Sequence, residues 1–144
     1  MKTKKVNRYY CDYCGKGGGS AFHMVRHEKK CTMNPQRECG MCAAMCSALG
    51  ESALASPTEL IAMLPTVENY RREDKYGVSY SGLVDALKAV LPKVREAAGN
   101  CPACILAALR QSGIPMGCVN KDVFDFGAEI ESLWNNINER KDNW

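Results

Sequence analysis

Apolar residues in the second half of the chain recur three and four positions apart, which is the helical period. Leu83, Leu87, Val90, Leu91 and Val94 form one stripe, predicting a helix capped by Ser81 that runs to about Ala98, is kinked or split at Pro92 and is closed by Gly99. The stretch from Pro102 to about Ser112 is apolar on most faces (Ile105, Leu106, Ala107, Ala108, Leu109), so it is expected at the centre of the fold, with Asn100 as its cap and Gly113 as its stop. A last helix is expected after a cap at Asp125, with Phe126, Ile130, Leu133, Trp134 and Ile137 on one side. Ser56-Pro57-Thr58-Glu59 is a capping box with proline at the first helical position, opening a helix that Pro65 ends. Ala43 to Leu49 reads as a short apolar helix stopped at Gly50. Residues 66–80 are polar and turn-rich and read as a solvated loop. The alternative is a second nucleic-acid surface, because Tyr70, Tyr76 and Tyr80 interleave there with Arg71, Arg72 and Lys75.

Ahead of these helices the organising feature is the spacing of metal ligands. Cys11 and Cys14, then His27 and Cys31, give Cys-x2-Cys-x12-His-x3-Cys, a set suited to tetrahedral zinc. Two cysteines separated by two residues point both sulfurs at one ion. His27 and Cys31 are four apart and share a helix face. His23 lies four residues before His27 on the same side and is the substitute ligand, at the cost of a loop of only eight residues after Cys14. Ser20 is the expected cap of a helix over 20–31, and Thr32 to Arg37 ends it, because Pro35 cannot continue a helix.

At these residues the chain resembles a zinc finger of the Cys-Cys-His-Cys type, a variant of the ββα finger, over about residues 8–37. The matching positions are Tyr9 and Tyr10 ahead of the first cysteine pair, Gly15 after it, Met24 and the four ligands. One position departs from the pattern: the usual buried aromatic falls on Gly18, within the run Gly17-Gly18-Gly19, and Phe22 is expected to supply that packing from the helix. The resemblance implies base-facing positions at Ser20, His23 and Arg26, with Lys29, Lys30 and Arg37 near backbone phosphates. A single finger reads about three base pairs, so sequence-specific binding without help is not expected.

A second cysteine group begins at once. Cys39 and Cys42 form one pair, and Cys101 and Cys104 form its distant partner, together a four-thiolate zinc site of the ribbon type. Cys46 offers an alternative with Cys39 and Cys42, an iron–sulfur ligand set that a fourth cysteine would complete. Cys46 and Cys118 are read as buried thiols. Both zinc ions are expected to be structural, since four protein ligands leave no coordination position for water. The staple from residue 39 to residue 104 closes most of the helical part, so removing its metal is expected to unfold that part.

Nine cysteines is an odd number, and most come in pairs of metal-ligand spacing, which favours thiolates in a reducing cytoplasm over a disulfide framework. Residues 1–38 carry nine Lys/Arg against three Asp/Glu, a net +6, whereas residues 39–144 carry ten against thirteen, a net −3. The expected organisation is therefore a basic arm and finger over 1–38 and a helical, zinc-stapled domain over 39–144. The fold class is mainly α, with a small ββα-like finger ahead of that domain. A basic finger points to an anionic partner, with DNA ahead of RNA. The body is available to a protein partner or a second copy. No run of eighteen apolar residues predicts a membrane span, and no secretory leader is read at the N-terminus. No phosphate loop, His-Glu-x-x-His or nucleophile signature is present, and the zinc-deaminase order of ligands is not matched, so neither an enzyme nor a small-molecule substrate is expected. The alternative function is a protein-interaction adaptor or a subunit of a larger assembly whose zinc sites are purely structural.

Overall fold

In the computed structural model, which describes residues 1–49 and 56–142, the chain is mainly α. A two-residue hairpin, β1 (Tyr9–Tyr10) with β2 (Gly17–Gly18), leads into α1 (Ala21–Lys30). Then come α2 (Gly40–Leu49), α3 (Pro57–Met63), a second hairpin of β3 (Arg71–Asp74) with β4 (Gly77–Tyr80), and α4 (Leu83–Ala97), α5 (Pro102–Gln111) and α6 (Phe126–Asp142). Gly50, the expected stop of α2, lies outside the described residues. The helix itself begins earlier than Ala43, because Gly40 to Cys42 already form its first turn.

The stripe read in α4 is the backbone of the core. Leu83, Leu87, Leu91 and Val94 are buried against Leu60 of α3 and Ile105, Ala108 and Leu109 of α5. Each such leucine gives up enough apolar surface to stabilise the fold by about 1.5–3 kcal/mol. Helix α5 is the most enclosed helix among those described, with Pro102, Ala103, Ile105, Ala107, Ala108 and Leu109 all buried. The expected split at Pro92 does not occur: α4 continues through it to Ala97, and Pro92 points to solvent.

Helix boundaries follow capping chemistry. Ser56 and Glu59 make the reciprocal capping box of α3. Asp125 Oδ1 accepts from the Ala128 backbone N–H at 3.1 Å and starts α6. At the end of α4, Gly99 N–H donates to Glu96 O and Asn100 N–H to Arg95 O, with Gly99 at φ +58° and Asn100 at φ +60°. This is the six-to-one and five-to-two pattern of a Schellman stop. Asn100 is spent on that stop, so it does not cap α5; Cys101 occupies the cap position instead. Likewise Gly82, not Ser81, precedes α4, in a left-handed conformation (φ +82°) that a serine would adopt with strain.

Residues 66–80 are not a loop. They form a 3-10 turn (Val67–Asn69) and then the β3–β4 hairpin, which is exposed along nearly its whole length, with Asp74 Oδ1 accepting from Tyr76 N–H in the turn. Val67, Tyr70 and Tyr80 pack against the core. The exposure hid the strands from the sequence, because no alternating buried face marks them. A second apolar cluster, Met45, Cys101, Ala103, Leu133 and Ile137, joins α2, α5 and α6. Phe126 and Trp134, expected on the buried side of α6, are exposed. An ion pair at 2.5 Å, Arg95 Nη2 to Glu129 Oε1, ties α6 to α4.

The segment after α1 is fastened to the far end of α5. Gln111 Nε2 donates to Thr32 O (2.8 Å) and Asn34 O (3.1 Å), and Arg110 Nη1 donates to Thr32 Oγ1 (2.6 Å). Asn34 is buried, donating to Glu28 O and accepting from Gln36 N–H. Gln111→Ala should therefore cost about 1–3 kcal/mol, since Thr32 O loses the Gln111 donor, while Asn34 O keeps that of Arg37 N–H. It should also let residues 1–38 tumble faster than α4 in backbone amide relaxation. Equal tumbling in the variant would mean that other contacts fix this segment.

Candidate metal centres

The first centre is assembled by the hairpin and α1. Cys11 N–H donates to Lys16 O and Gly15 N–H to Cys11 O, folding the chain so that Cys11 and Cys14 face the same point. Gly15 sits at φ +71°, a conformation that favours glycine at this turn. Helix α1 starts at Ser20, whose hydroxyl accepts from His23 N–H at 3.3 Å, and presents His27 and, just past its end, Cys31. The four ligand atoms of Cys11, Cys14, His27 and Cys31 lie within 4.8 Å of one another, with Cys14 Sγ 3.2 Å from His27 Nε2. His23 is exposed and outside the group. Met24 closes the inner side against Cys11 and Cys31. Phe22 does not supply the missing aromatic: it is 67% exposed, and Met24 fills the space over Gly18, where an added Cβ would stand 3.4 Å from Met24 Cε.

The second centre is built from two helix starts and is not of the ribbon type. Cys39 immediately precedes α2 and Cys42 lies in its first turn; Cys101 is the cap residue of α5 and Cys104 lies in its first turn. Each pair uses the same geometry: Cys39 O accepts from Ala43 N–H, and Cys101 O from Ile105 N–H. The two first turns face each other, with Cys39 Sγ 3.6 Å from Cys101 Sγ and Cys42 Sγ 3.4 Å from Cys104 Sγ. All four ligand atoms lie within 4.8 Å of one another. The positive ends of two helices thus converge where thiolates would gather. Cys118 is half-buried and belongs to neither group, and the side chain of Cys46 lies outside the described residues.

These separations fit a metal and do not fit disulfides. A disulfide needs sulfurs about 2.05 Å apart. Tetrahedral zinc with bonds of about 2.3 Å to sulfur sets neighbouring sulfurs about 3.8 Å apart. The eight cysteines whose side chains are described are all free. The titration of the thiols follows from their crowding. A hydrogen bond from the Lys16 backbone, followed by one from His27, holds Cys14 down to about 6, while burial pushes Cys31 up. In the second centre Cys39 and Cys101 are lowered, chiefly by hydrogen bonds from neighbouring thiols, and Cys42 and Cys104 are raised, chiefly because Cys101 leans on their protons. Four thiols this close, each shifting its neighbours' titration, form an arrangement whose protons a divalent cation displaces on binding.

The residues expected to face a nucleic acid are spread over the outer side of α1 and the segment behind it. His23, Arg26, Lys29 and Lys30 are exposed. Ser20 is half-buried by its capping role, and Arg37 donates from Nε to Lys30 O at 3.4 Å. Lys30 turns back toward α2, its Nζ 3.6 Å from where a Cβ at Gly40 would stand. Sequence reasoning missed the clamp formed by Thr32, Asn34, Arg110 and Gln111. Its only sequence signal is an Asn-Pro step, which reads as a helix terminator. No family model, no curated protein and no solved structure matches the chain.

Native mass spectrometry after metal loading should show two divalent ions per chain; a single ion, or an iron–sulfur absorption band, would remove the second centre as described. The structure also narrows what that centre supports. Helix α2 is held by the cysteine cluster and its packing on α6, whereas α3, α4 and α5 share a separate apolar core. Cys42→Ser should therefore strip hydrogen-exchange protection from residues 40–49 while α4 keeps its own. Loss of protection throughout α4 would show instead that the metal holds the whole body together.

Proposed function

We propose that the protein is a zinc-binding, non-enzymatic accessory or regulatory protein that associates with nucleic acid, DNA ahead of RNA, through residues 1–38. Both zinc ions are structural: Cys11, Cys14, His27 and Cys31 hold one, and Cys39, Cys42, Cys101 and Cys104 hold the other. Zinc is favoured by the donor sets, since thiolate with imidazole and four thiolates are the closed structural sets of that ion. The observation that carries the nucleic-acid reading is the charge of +6 over residues 1–38 against −3 over the rest, with Arg26 and Lys29 exposed on the surface of α1. Glu28, one of the three acids in that stretch, is turned away and accepts from Asp12 N–H at 3.0 Å. The basic arm over residues 1–8 is exposed throughout and can follow a phosphate backbone.

The adaptor reading is supported by a different feature, the exposed Phe126 and Trp134 on α6, which offer an apolar surface to a protein partner or a second copy. Salt separates the two. Binding of the zinc-loaded chain to DNA should fall steeply between about 50 and 200 mM salt, as phosphate contacts release counterions. Replacing both Lys29 and Lys30 by alanine should weaken binding on all sequences alike and flatten the log–log salt slope by about two. Absence of binding at low salt would leave the adaptor reading.

A further inference from the structure

The glycine run and the exposed Phe22 are the two features of the finger that its metal chemistry does not use. The glycines line a stretch of surface, and Phe22 adjoins it through its contacts with His23 and Arg26. A depression of about 350 Å³ runs over Gly17, Gly18 and Gly19 from Lys16 to His23, and a second of about 300 Å³ continues from His23 over Arg26 to Lys30. His23 and His27 border both, so the two form one shallow track. Tyr10 covers Gly17 and Met24 covers Gly18, so the bare backbone of the track is at Gly19. A Cβ at Gly19 would meet nothing within 4 Å, so that position opens to solvent, and its φ lies outside the left-handed range. Cations stand at both ends: Lys16 at one, Arg26 and Lys30 at the other. Phe22 is beside the track, its ring 5.7 Å from that of His23, with the Arg26 guanidinium 5.7 Å from its centroid.

We propose that this track takes a single strand of nucleic acid, with its backbone passing over Gly19 between the flanking cations and one base stacked on Phe22. The inference rests on the nucleic-acid reading above and names the form of the ligand. A duplex keeps its base faces inside its own stack and offers none to an exposed ring, whereas an unpaired base presents a π-face that Phe22 can cover regardless of sequence. Arg26 and His23 hold the ring between two polar groups that can stack or bond to the same nucleotide. The open backbone at Gly19, where an added Cβ would meet nothing within 4 Å, gives a sugar–phosphate chain room to pass.

The test compares fluorescence anisotropy of the zinc-loaded full chain with an oligothymidylate of about 15 nucleotides and with a mixed-sequence duplex of the same length, at one moderate salt concentration. The single strand should bind at least about ten-fold tighter. Phe22→Ala should lose about ten-fold on the single strand with the salt slope unchanged, because no charge is removed; Phe22→Trp should restore binding. Gly19→Val should weaken single-strand binding comparably by filling the track. Both positions are solvent-facing, and zinc content with circular dichroism checks that each variant stays folded. Equal binding of duplex and single strand, or single-strand binding indifferent to Phe22→Ala and Gly19→Val, overturns the inference while leaving the finger a nucleic-acid contact. Absence of binding to either probe at low salt overturns the parent reading and this one with it.

Discussion

Four sulfurs from two helix starts share a space only a few ångströms across, and they cannot all carry charge unless a cation stands between them. Without a cation the thiols act on one another's titration, which lowers Cys39 and Cys101 and raises Cys42 and Cys104. Metallated, this second centre would become four thiolates facing two helix N-termini, each end contributing a favourable partial charge. The sequence places these pairs far apart, at residues 39–42 and 101–104, so the cluster decides how α2 meets α5. Helix α5 then carries that decision across the molecule. Its first turn holds two of the cysteines and its last residues hold Thr32 and Asn34, so the strut that anchors one metal group also orients the segment behind the other.

What was legible in the sequence was the chemistry with rigid spacing. A Cys-x2-Cys pair admits few backbone paths, and a histidine and a cysteine four apart admit one helix face, so both ligand groups emerge from the residues alone. Capping boxes and leucine stripes work the same way: Ser56 with Glu59, and Leu83 through Val94, behave as read. The failures share a cause, which is that a residue suited to a role had been claimed by a neighbour. Asn100 is a good cap but is consumed by the Schellman stop after Gly99. Phe22 is the natural substitute for a missing aromatic, yet Met24 reaches the space over Gly18 first, and a flexible thioether fills an irregular gap without the rotation a ring would need. The β3–β4 hairpin failed differently, because its strands bury no face and so leave no periodic trace.

The surplus left by these substitutions lies on the surface of the finger. Once Met24 completes the small core, Phe22 has no packing role, and Gly19, the last of the glycine run, leaves its backbone open to solvent. A ring at 67% exposure forfeits most of the burial that would otherwise stabilise the fold. Nothing inside the finger compensates for that loss, apart from the weak contacts of Arg26 and His23 with the ring. The economical reading is that the compensation lies outside the chain, in whatever covers the ring.

A single short finger is a weak reader of any ligand, because its helix offers few contacts and each rotation of the module blurs them. Fixing its orientation removes part of that penalty, since a binding surface ordered in advance has less freedom to lose on association. The clamp from Gln111 and Arg110 to Thr32 and Asn34 supplies such ordering, and it acts on backbone carbonyls, which leaves the outer face of α1 untouched. The helical body therefore need not contact the partner in order to matter for its recognition. By holding residues 32–34 against α5, it presents Arg26, Lys29 and Phe22 from a fixed platform, and the apolar core that α5 shares with α3 and α4 keeps that platform in place.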